Sequence, residues 1–344
     1  MPSATVDFTV QKYESTHAIP GTVWNTLRGY ARDANVLLPN LEKINALERS
    51  SGRFVPGQLW ITCTTVHPNA PPSVDFVLGC TDGALGPYPI FIVSTLSHQI
   101  SFDALRCRLR SMAYTLHLSV PSSRVYSIFA QETITRLFAT NWTEFTSIPL
   151  APSPEYYAAR ITYCTKATYK DRHMPLPGLG VELRLATPAD AHQVADLCHG
   201  FAAESEPFTL TEEGALREAN LLFHSGQVWV HVMHDLDQGF QIASIVAVTR
   251  SSDRVATITK VYTSPRWRKM GCAERLTRSV VAHLLQFKES VVLYVANANP
   301  AAAKVYSRVG FVGLDEESQS KPVAGVDRWL ELGFDRKYVR LGHW

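Results

Sequence analysis

Along the C-terminal half of the chain, alternating and helix-spaced apolar positions follow one another in an ordered series. Val181-Glu182-Leu183-Arg184-Leu185 alternates and reads as a strand. Ala191, Val194, Ala195, Cys198 and Phe201 fall on one helical stripe. Thr187 stands before it as an N-cap, with Pro188 next and Asp190 in the first turn. A second helix is predicted from about Thr211 to His224. Val228–Val232 and Ile242–Val248 read as strands, joined by a turn at Asp235 to Gly239. Val255–Thr263 is a β-branched strand, and Leu276, Val280, Val281, Leu284 and Leu285 mark the helix after it. Val291–Val295 is a short apolar strand. Ala302, Val305, Tyr306 and Val309 repeat at i, i+3, i+4 and i+7, one face of a helix that Gly310 ends. Arg328–Leu332 is the last strand of the series. The fold class these elements predict is α/β, a mixed twisted sheet flanked by helices.

Chemistry concentrates where the strand Val255–Thr263 turns into its helix. Arg268-Lys269-Met270-Gly271-Cys272-Ala273 offers small residues at Gly271 and Ala273, so backbone N–H groups can approach a ligand closely. The start of a helix adds unpaired donors and partial positive charge, which suits a pyrophosphate. The chain has no Gly-x-x-x-x-Gly-Lys-Ser/Thr and no Gly-x-Gly-x-x-Gly, which argues against a nucleoside-triphosphate loop and a dinucleotide fold. Asn299 is placed to cap the helix after Val291–Val295, with Pro300 at its first position.

Arg268-x-x-Gly271-x-Ala273 is followed, one helix and one strand later, by Asn299-x-x-Ala302-x-x-x-Tyr306-x-x-x-Gly310-Phe311. The pair, in this order, resembles the motifs of the GNAT superfamily of acyl-CoA-dependent N-acyltransferases. Ser264-Pro265-Arg266-Trp267 resembles the family's approach to its loop. The resemblance covers roughly residues 181–334 and implies acetyl-CoA as co-substrate, with no metal. It implies that the N–H groups of Arg268, Lys269, Met270, Gly271, Cys272, Ala273 and Glu274 hold the pyrophosphate. Val261, Tyr262 and Thr263 would pair with the pantetheine arm as if it were a further strand, and Asn299 would bond the arm or an ordered water as well as capping its helix. Tyr306 is then the general acid for the leaving thiolate, with core packing as its alternative role. The family's carboxylate base on this strand has no counterpart, because Thr257 stands there. Glu204 and Glu206, in the loop between the first two helices, are candidates for the base, with Glu204 placed beside Tyr306 as a catalytic residue. His231 and a water relay through Thr257 and Thr259 are others.

The chain has 344 residues, a formal charge of +2 and 46% hydrophobic residues, enough for two cores. Near-neutral charge argues against nucleic acid or an anionic membrane as partner. No apolar run approaches the ~18 residues of a membrane span, and Met1–Tyr13 does not read as a signal peptide. Cys63, Cys80, Cys107, Cys164, Cys198 and Cys272 include no Cys-x-x-Cys and no metal-ligand spacing with His. They read as reduced thiols of a cytoplasmic protein, a monomer or homodimer.

The N-terminal half carries a second, less distinct series. Leu59–Thr64, Val74–Leu78, Pro89–Val93, Val125–Phe129 and Ile161–Cys164 read as strands, and Phe102–Leu116 and Glu132–Phe145 as helices. This echoes the second half of a GNAT domain and predicts either a degenerate duplicate or an unrelated α+β domain. The position of the loop holds Ser97-His98-Gln99-Ile100-Ser101-Phe102, without glycine, and Phe138 and Trp142 stand where the tyrosine would be. As a whole the chain resembles fungal tandem GNAT-like proteins with an active C-terminal half. The division predicted is an accessory domain over 1–170, a Pro/Gly-rich linker over 171–180 and a catalytic domain over 181–344. The activity implied is transfer of an acetyl group to a primary amine. A small molecule is favoured as acceptor, since no acidic run suggests a basic protein tail. The alternatives are a non-catalytic acyl-CoA sensor and a protein or peptide lysine acetyltransferase.

Overall fold

Strand and helix follow one another in two matching series. The computed structural model describes residues 7–68, 70–96, 100–176, 180–235, 239–315 and 322–343. They form two compact units, Met1–Ala158 with Arg328–Trp344, and Ala159–Asp327. The predicted turn at Asp235 to Gly239, the loop Ser97–Phe102 and the linker 171–180 each lie partly outside the described residues.

The first series runs β1 (Phe8–Tyr13), α1 (Gly21–Gly29), α2 (Leu38–Ser51), β2 (Gln58–His67), β3 (Ala70–Gly83), the short β4 (Gly86–Pro87), β5 (Ile90–Ser94), α3 (Phe102–His117), β6 (Ser127–Gln131), α4 (Glu132–Thr146) and β7 (Leu150–Thr165). The second runs β8 (Gly180–Leu185), α5 (Ala191–Ala203), α6 (Glu212–His224), β9 (Val228–Asp235), β10 (Gly239–Ser251), β11 (Val255–Thr263), α7 (Cys272–Leu284), β12 (Ser290–Ala296), α8 (Pro300–Val309) and β13 (Arg328–Phe334). Leaving out β4, each element of one series has a counterpart in the other.

In the first unit the sheet order is β1-β2-β3-β5-β6-β13, with β7 following β13. From β1 to β13 it is antiparallel except for β5 against β6. Trp60, Phe76, Phe129, Phe138, Trp142 and Trp329 are fully buried there. In the second unit the order is β8-β9-β10-β11-β12, closed by the later residues of β7. Here β11 and β12 are the parallel pair. One face of this sheet packs Val230, Val232 and Ile245 with Val194 and Leu197 of α5 and Ala219 of α6. The other packs Ala256 and Ile258 with Leu276, Val280 and Val281 of α7 and Val309 of α8.

The last strand of each series is exchanged. Ala159–Thr165 of β7 pairs antiparallel with Ser290–Ala296 along the whole of β12. That edge is therefore filled, and β13 pairs instead with β6 through Trp329↔Gln131 to Gly333↔Ser127. Arg328–Leu332, read from the sequence as the last strand of a domain over 181–344, thus completes the sheet of the first unit. The unit boundaries fall at 158/159 and 327/328 rather than at a linker over 171–180.

Local signals behave as their chemistry dictates. Thr187 and Asp190 form a capping box, though over a short 3-10 turn, Pro188–Asp190, ahead of α5. Thr211 caps α6 by accepting from Gly214 N at 3.1 Å. Gly310 ends α8 at φ 115°, and a Cβ there would lie 2.2 Å from Thr168 O, so only glycine fits. Among the described residues no helix is long and apolar enough to cross a membrane.

Candidate functional site

A gap opens in the second unit where its two parallel strands stop pairing. β11 and β12 are in register only from Val255↔Ser290 to Ile258↔Leu293. Beyond that point Tyr294–Ala296 pairs with β7, while Lys260–Thr263 pairs with β10. A bulge at Thr259 adds twist at the point of separation, as Ala247 faces Lys260 but Val248 faces Ile258. Val261 and Thr263 on one side, and Tyr294 and Ala296 on the other, are partly exposed. The splay gives an extended ligand arm a strand edge to pair with.

The loop at the end of β11 is shaped for an anion. Lys269 and Gly271 both adopt left-handed conformations, at φ 65° and 75°. Gly271 is the N-cap of α7, whose first intrahelical bond runs from Arg275 N to Gly271 O at 3.0 Å. The N–H groups of Cys272, Ala273 and Glu274 thus have no partner within the helix and point out of its N-terminus. A Cβ on Gly271 would press on Arg275 Nη1 and Met174 Cε, both at 3.2 Å. Trp267 anchors the loop in a cluster with Met233, Ala243 and Cys272. The Cys272 thiol is buried, and burial pushes it up, so this residue offers its backbone rather than a thiolate. The Glu274 side chain turns inward to Arg278 at 2.9 Å and Arg308 at 2.6 Å, which neutralises its charge beside the anion site. These features fit the pyrophosphate of a coenzyme A.

Tyr306, on α8, is 8% exposed and shares a core cluster with Val261 and Val295, which flank the gap. Its ring stands edge-on to Phe311 at 5.8 Å. Burial raises its phenol above the ordinary value, so the group stays protonated. Its hydroxyl has no hydrogen-bond partner among the described residues. Asn299 accepts from Ala302 N at 3.0 Å, the capping bond expected of it, and is itself exposed.

Arg268 and Glu204 meet. Arg268 Nη2 donates to Glu204 Oε1 at 2.6 Å and Arg268 Nε donates to Thr263 O at 3.1 Å. The guanidinium carbon lies 5.4 Å from the centre of the Tyr262 ring, and Tyr262 Oη donates a long bond to Glu204 Oε1 at 3.5 Å. Glu206 is exposed. Thr257 Oγ1 is buried without a partner among the described residues, while Thr259 Oγ1 bonds Thr249 Oγ1 at 2.9 Å. His231 is fully buried on β9, and neither ring nitrogen has a partner among the described residues. Burial, aided by the Arg275 charge, pushes it down to about 4, which leaves it neutral and a weak base.

One pair at this site escaped the sequence reading. Lys260 Nζ donates to both oxygens of Glu218, each at 2.7 Å, and sits 4.8 Å from the centre of the Phe201 ring. The available signal was a charge amid apolar positions: Glu218 lies between Ala215, Ala219 and Leu222 on the inner face of α6.

Among the described residues, the first unit shows no comparable opening. β5 pairs with β6 at Ile90↔Ile128 and Phe91↔Phe129, but Ile92, Val93 and Ala130 beyond them are fully buried. Phe129 packs against Trp329 at 5.1 Å, and the buried Phe138 stands on α4 where the second unit has Tyr306.

Comparison with known proteins bears on the fold. A tandem GNAT protein from the clavulanic acid biosynthesis pathway superposes over 95% of this chain and 98% of its own, with a TM-score of 0.51 at 12% identity. The chain has the GNAT fold, in duplicate. A Drosophila protein gives a TM-score of 0.60 at 11% identity, over 94% of this chain and 98% of its own. A GCN5-related N-acetyltransferase from Sphaerobacter thermophilus gives 0.50 at 14% identity, over 94% of each chain. Residues 241–319 match the family model described as FR47-like protein. That stretch holds the loop, Asn299 and Tyr306, so the sequence match falls on the GNAT repeat with the open gap. A search of curated protein sequences finds no match.

Proposed function

We propose that the protein is an acyl-CoA-dependent N-acyltransferase that acetylates a primary amine of a small molecule, with its active centre in the second unit. The observation that carries this reading is the gap between β11 and β12, which has an anion-binding helix start at one end and an unpartnered, protonated phenol beside it. Arg268, Lys269, Met270, Gly271, Cys272, Ala273 and Glu274 would hold the pyrophosphate, and the strand edge at Val261, Tyr262 and Thr263, once Arg268 releases Thr263 O, would align the arm. Asn299 would steady the arm or a water next to it. Acetyl-CoA, as co-substrate, supplies the activated thioester.

An acceptor amine with a pKa of ~10.4 arrives largely as ammonium, so one proton must leave before attack. Glu204, once free of Arg268, is the carboxylate we assign to take it. As nitrogen bonds the acyl carbon and the C–S bond breaks, the electron pair leaves on sulfur. Tyr306 donates its phenolic proton there and recovers one from the new amide nitrogen. A thiolate with a conjugate pKa of ~8.5 needs only modest help of this kind.

A sensor of acyl-CoA without turnover is the second reading. It is favoured by one observation, that the Glu204 carboxylate is engaged by Arg268. Thiol release from acetyl-CoA separates the readings. The panel holds small amines, amino acids and basic peptides, with the Arg268→Ala/Gly271→Glu double variant as blank. Turnover with small amines that is absent in the blank supports the proposal, and turnover with peptides alone would move the acceptor to a protein. Coenzyme A binding without turnover on any acceptor would favour the sensor.

A further inference from the structure

The guanidinium that would meet the pyrophosphate is already occupied by the chain's own groups. Arg268 donates to Glu204 at 2.6 Å and to Thr263 O at 3.1 Å, and lies over Tyr262. Two functional elements are tied by this contact. Arg268 belongs to the loop that starts α7, whereas Glu204 follows directly on α5, across the sheet. Tyr262, which touches both, packs on the α5 side against Phe201 at 6.5 Å. Thr263 O, at the end of the free strand edge, is likewise taken by Arg268. Both side chains of the pair are about half exposed, so an incoming anion can reach them.

We propose that Glu204 and Arg268 form a self-inhibitory latch, in which the Glu204 carboxylate stands in for the cofactor's pyrophosphate. The inference rests on the function proposed above. A pyrophosphate seated on the loop carries more charge than one carboxylate and adds the N–H groups of the α7 N-terminus, so it wins the guanidinium. Opening the latch does two things at once. It returns Thr263 O to the strand edge, and it leaves Glu204 unpaired on the α5 side, where a cationic acceptor can use it. The chain thus holds down its own affinity for the cofactor and bares the acceptor carboxylate only when the cofactor is present.

The test is titration of the full-length chain with coenzyme A and, separately, with pantetheine, which lacks the pyrophosphate, for the wild type and Glu204→Gln. Gln keeps the shape and removes the competing charge. An exposed ion pair of this kind sets the scale, and Glu204→Gln is expected to bind coenzyme A about two- to five-fold more tightly. The gain should shrink in high salt, and pantetheine binding should not change, because without a pyrophosphate to draw it away Arg268 still bonds Thr263 O. Glu204→Asp, which keeps the charge on a shorter arm, should fall between the two. If the wild type binds coenzyme A but Glu204→Gln binds it equally or more weakly, Glu204 merely positions Arg268 and the latch is wrong. If the wild type does not bind coenzyme A, the proposed function fails first and takes the latch with it.

Discussion

Replacing Tyr306 with Phe removes one oxygen and keeps the ring that packs on Phe311 in the core. Thiol release should therefore fall by about 100-fold, the low end of general-acid effects, because the thiolate is already a fair leaving group. Coenzyme A affinity should stay within about two-fold. Equal losses of rate and affinity would instead mark Tyr306 as a packing residue. Gly310→Ala is a test of stability rather than chemistry. A φ of 115° and a Cβ position 2.2 Å from Thr168 O together should cost about 2–4 kcal/mol in urea unfolding. Residues of this kind were legible because their reasons are local. Asn299 caps the helix it precedes, Gly310 ends that helix, and the Arg268–Ala273 loop carries its spacing in a few positions. Glu204–Arg268 and Lys260–Glu218 were not legible as pairs, since the partners lie on different elements and nothing in either segment points to the other.

At the scale of elements, β9 places a histidine where water cannot reach it. His231 is neutral in the folded chain, pushed down to about 4 from an ordinary value of 6.5. At pH 7 the folded ring is neutral and the unfolded one mostly so, and its contribution to pH dependence is small. Below pH 6.5 the unfolded chain takes up a proton that the folded chain refuses, so stability falls with pH until about pH 4. Relative to His231→Phe, the wild type should lose ~2 kcal/mol between pH 7 and pH 5. Parallel denaturant titrations of both proteins measure this directly, and parallel pH profiles would show that the ring titrates normally. The same register explains why most strands and helices could be read but α1 and α2 could not. α1 buries only Val23 and Leu27, and α2 inserts the buried Glu48 among Leu38, Leu41 and Ile44, so neither shows a broad apolar stripe. The gap between β11 and β12 is another property of register. Both segments read as strands, yet their separation after Ile258↔Leu293 comes from the bulge at Thr259 and from β7 taking the later residues of β12.

For the whole molecule, the exchange of last strands decides what can fold alone. Pattern alone assigns β13 to the repeat that precedes it, because hydrophobic alternation shows that a strand exists and not which edge it joins. β12 is covered over its whole length by Ala159–Thr165, and β6 is covered by β13. A fragment of residues 181–344, cut at the Pro/Gly-rich segment, would leave β12 with a bare apolar edge and carry β13 without the β6 it pairs with. Exposed edges of this type invite association with other chains. A fragment of residues 159–327 holds every strand of its own sheet together with the loop, Asn299 and Tyr306. We expect 159–327 to unfold in a single cooperative denaturant transition and to bind coenzyme A, and 181–344 to aggregate or unfold without cooperativity. Deleting residues 328–344 from the full chain should remove the strand that pairs with β6 in the first unit. The transition of the first unit should then broaden or vanish while coenzyme A binding persists. Should 181–344 prove the stable, binding-competent fragment, each repeat would keep its own last strand in solution and the exchange would not govern folding.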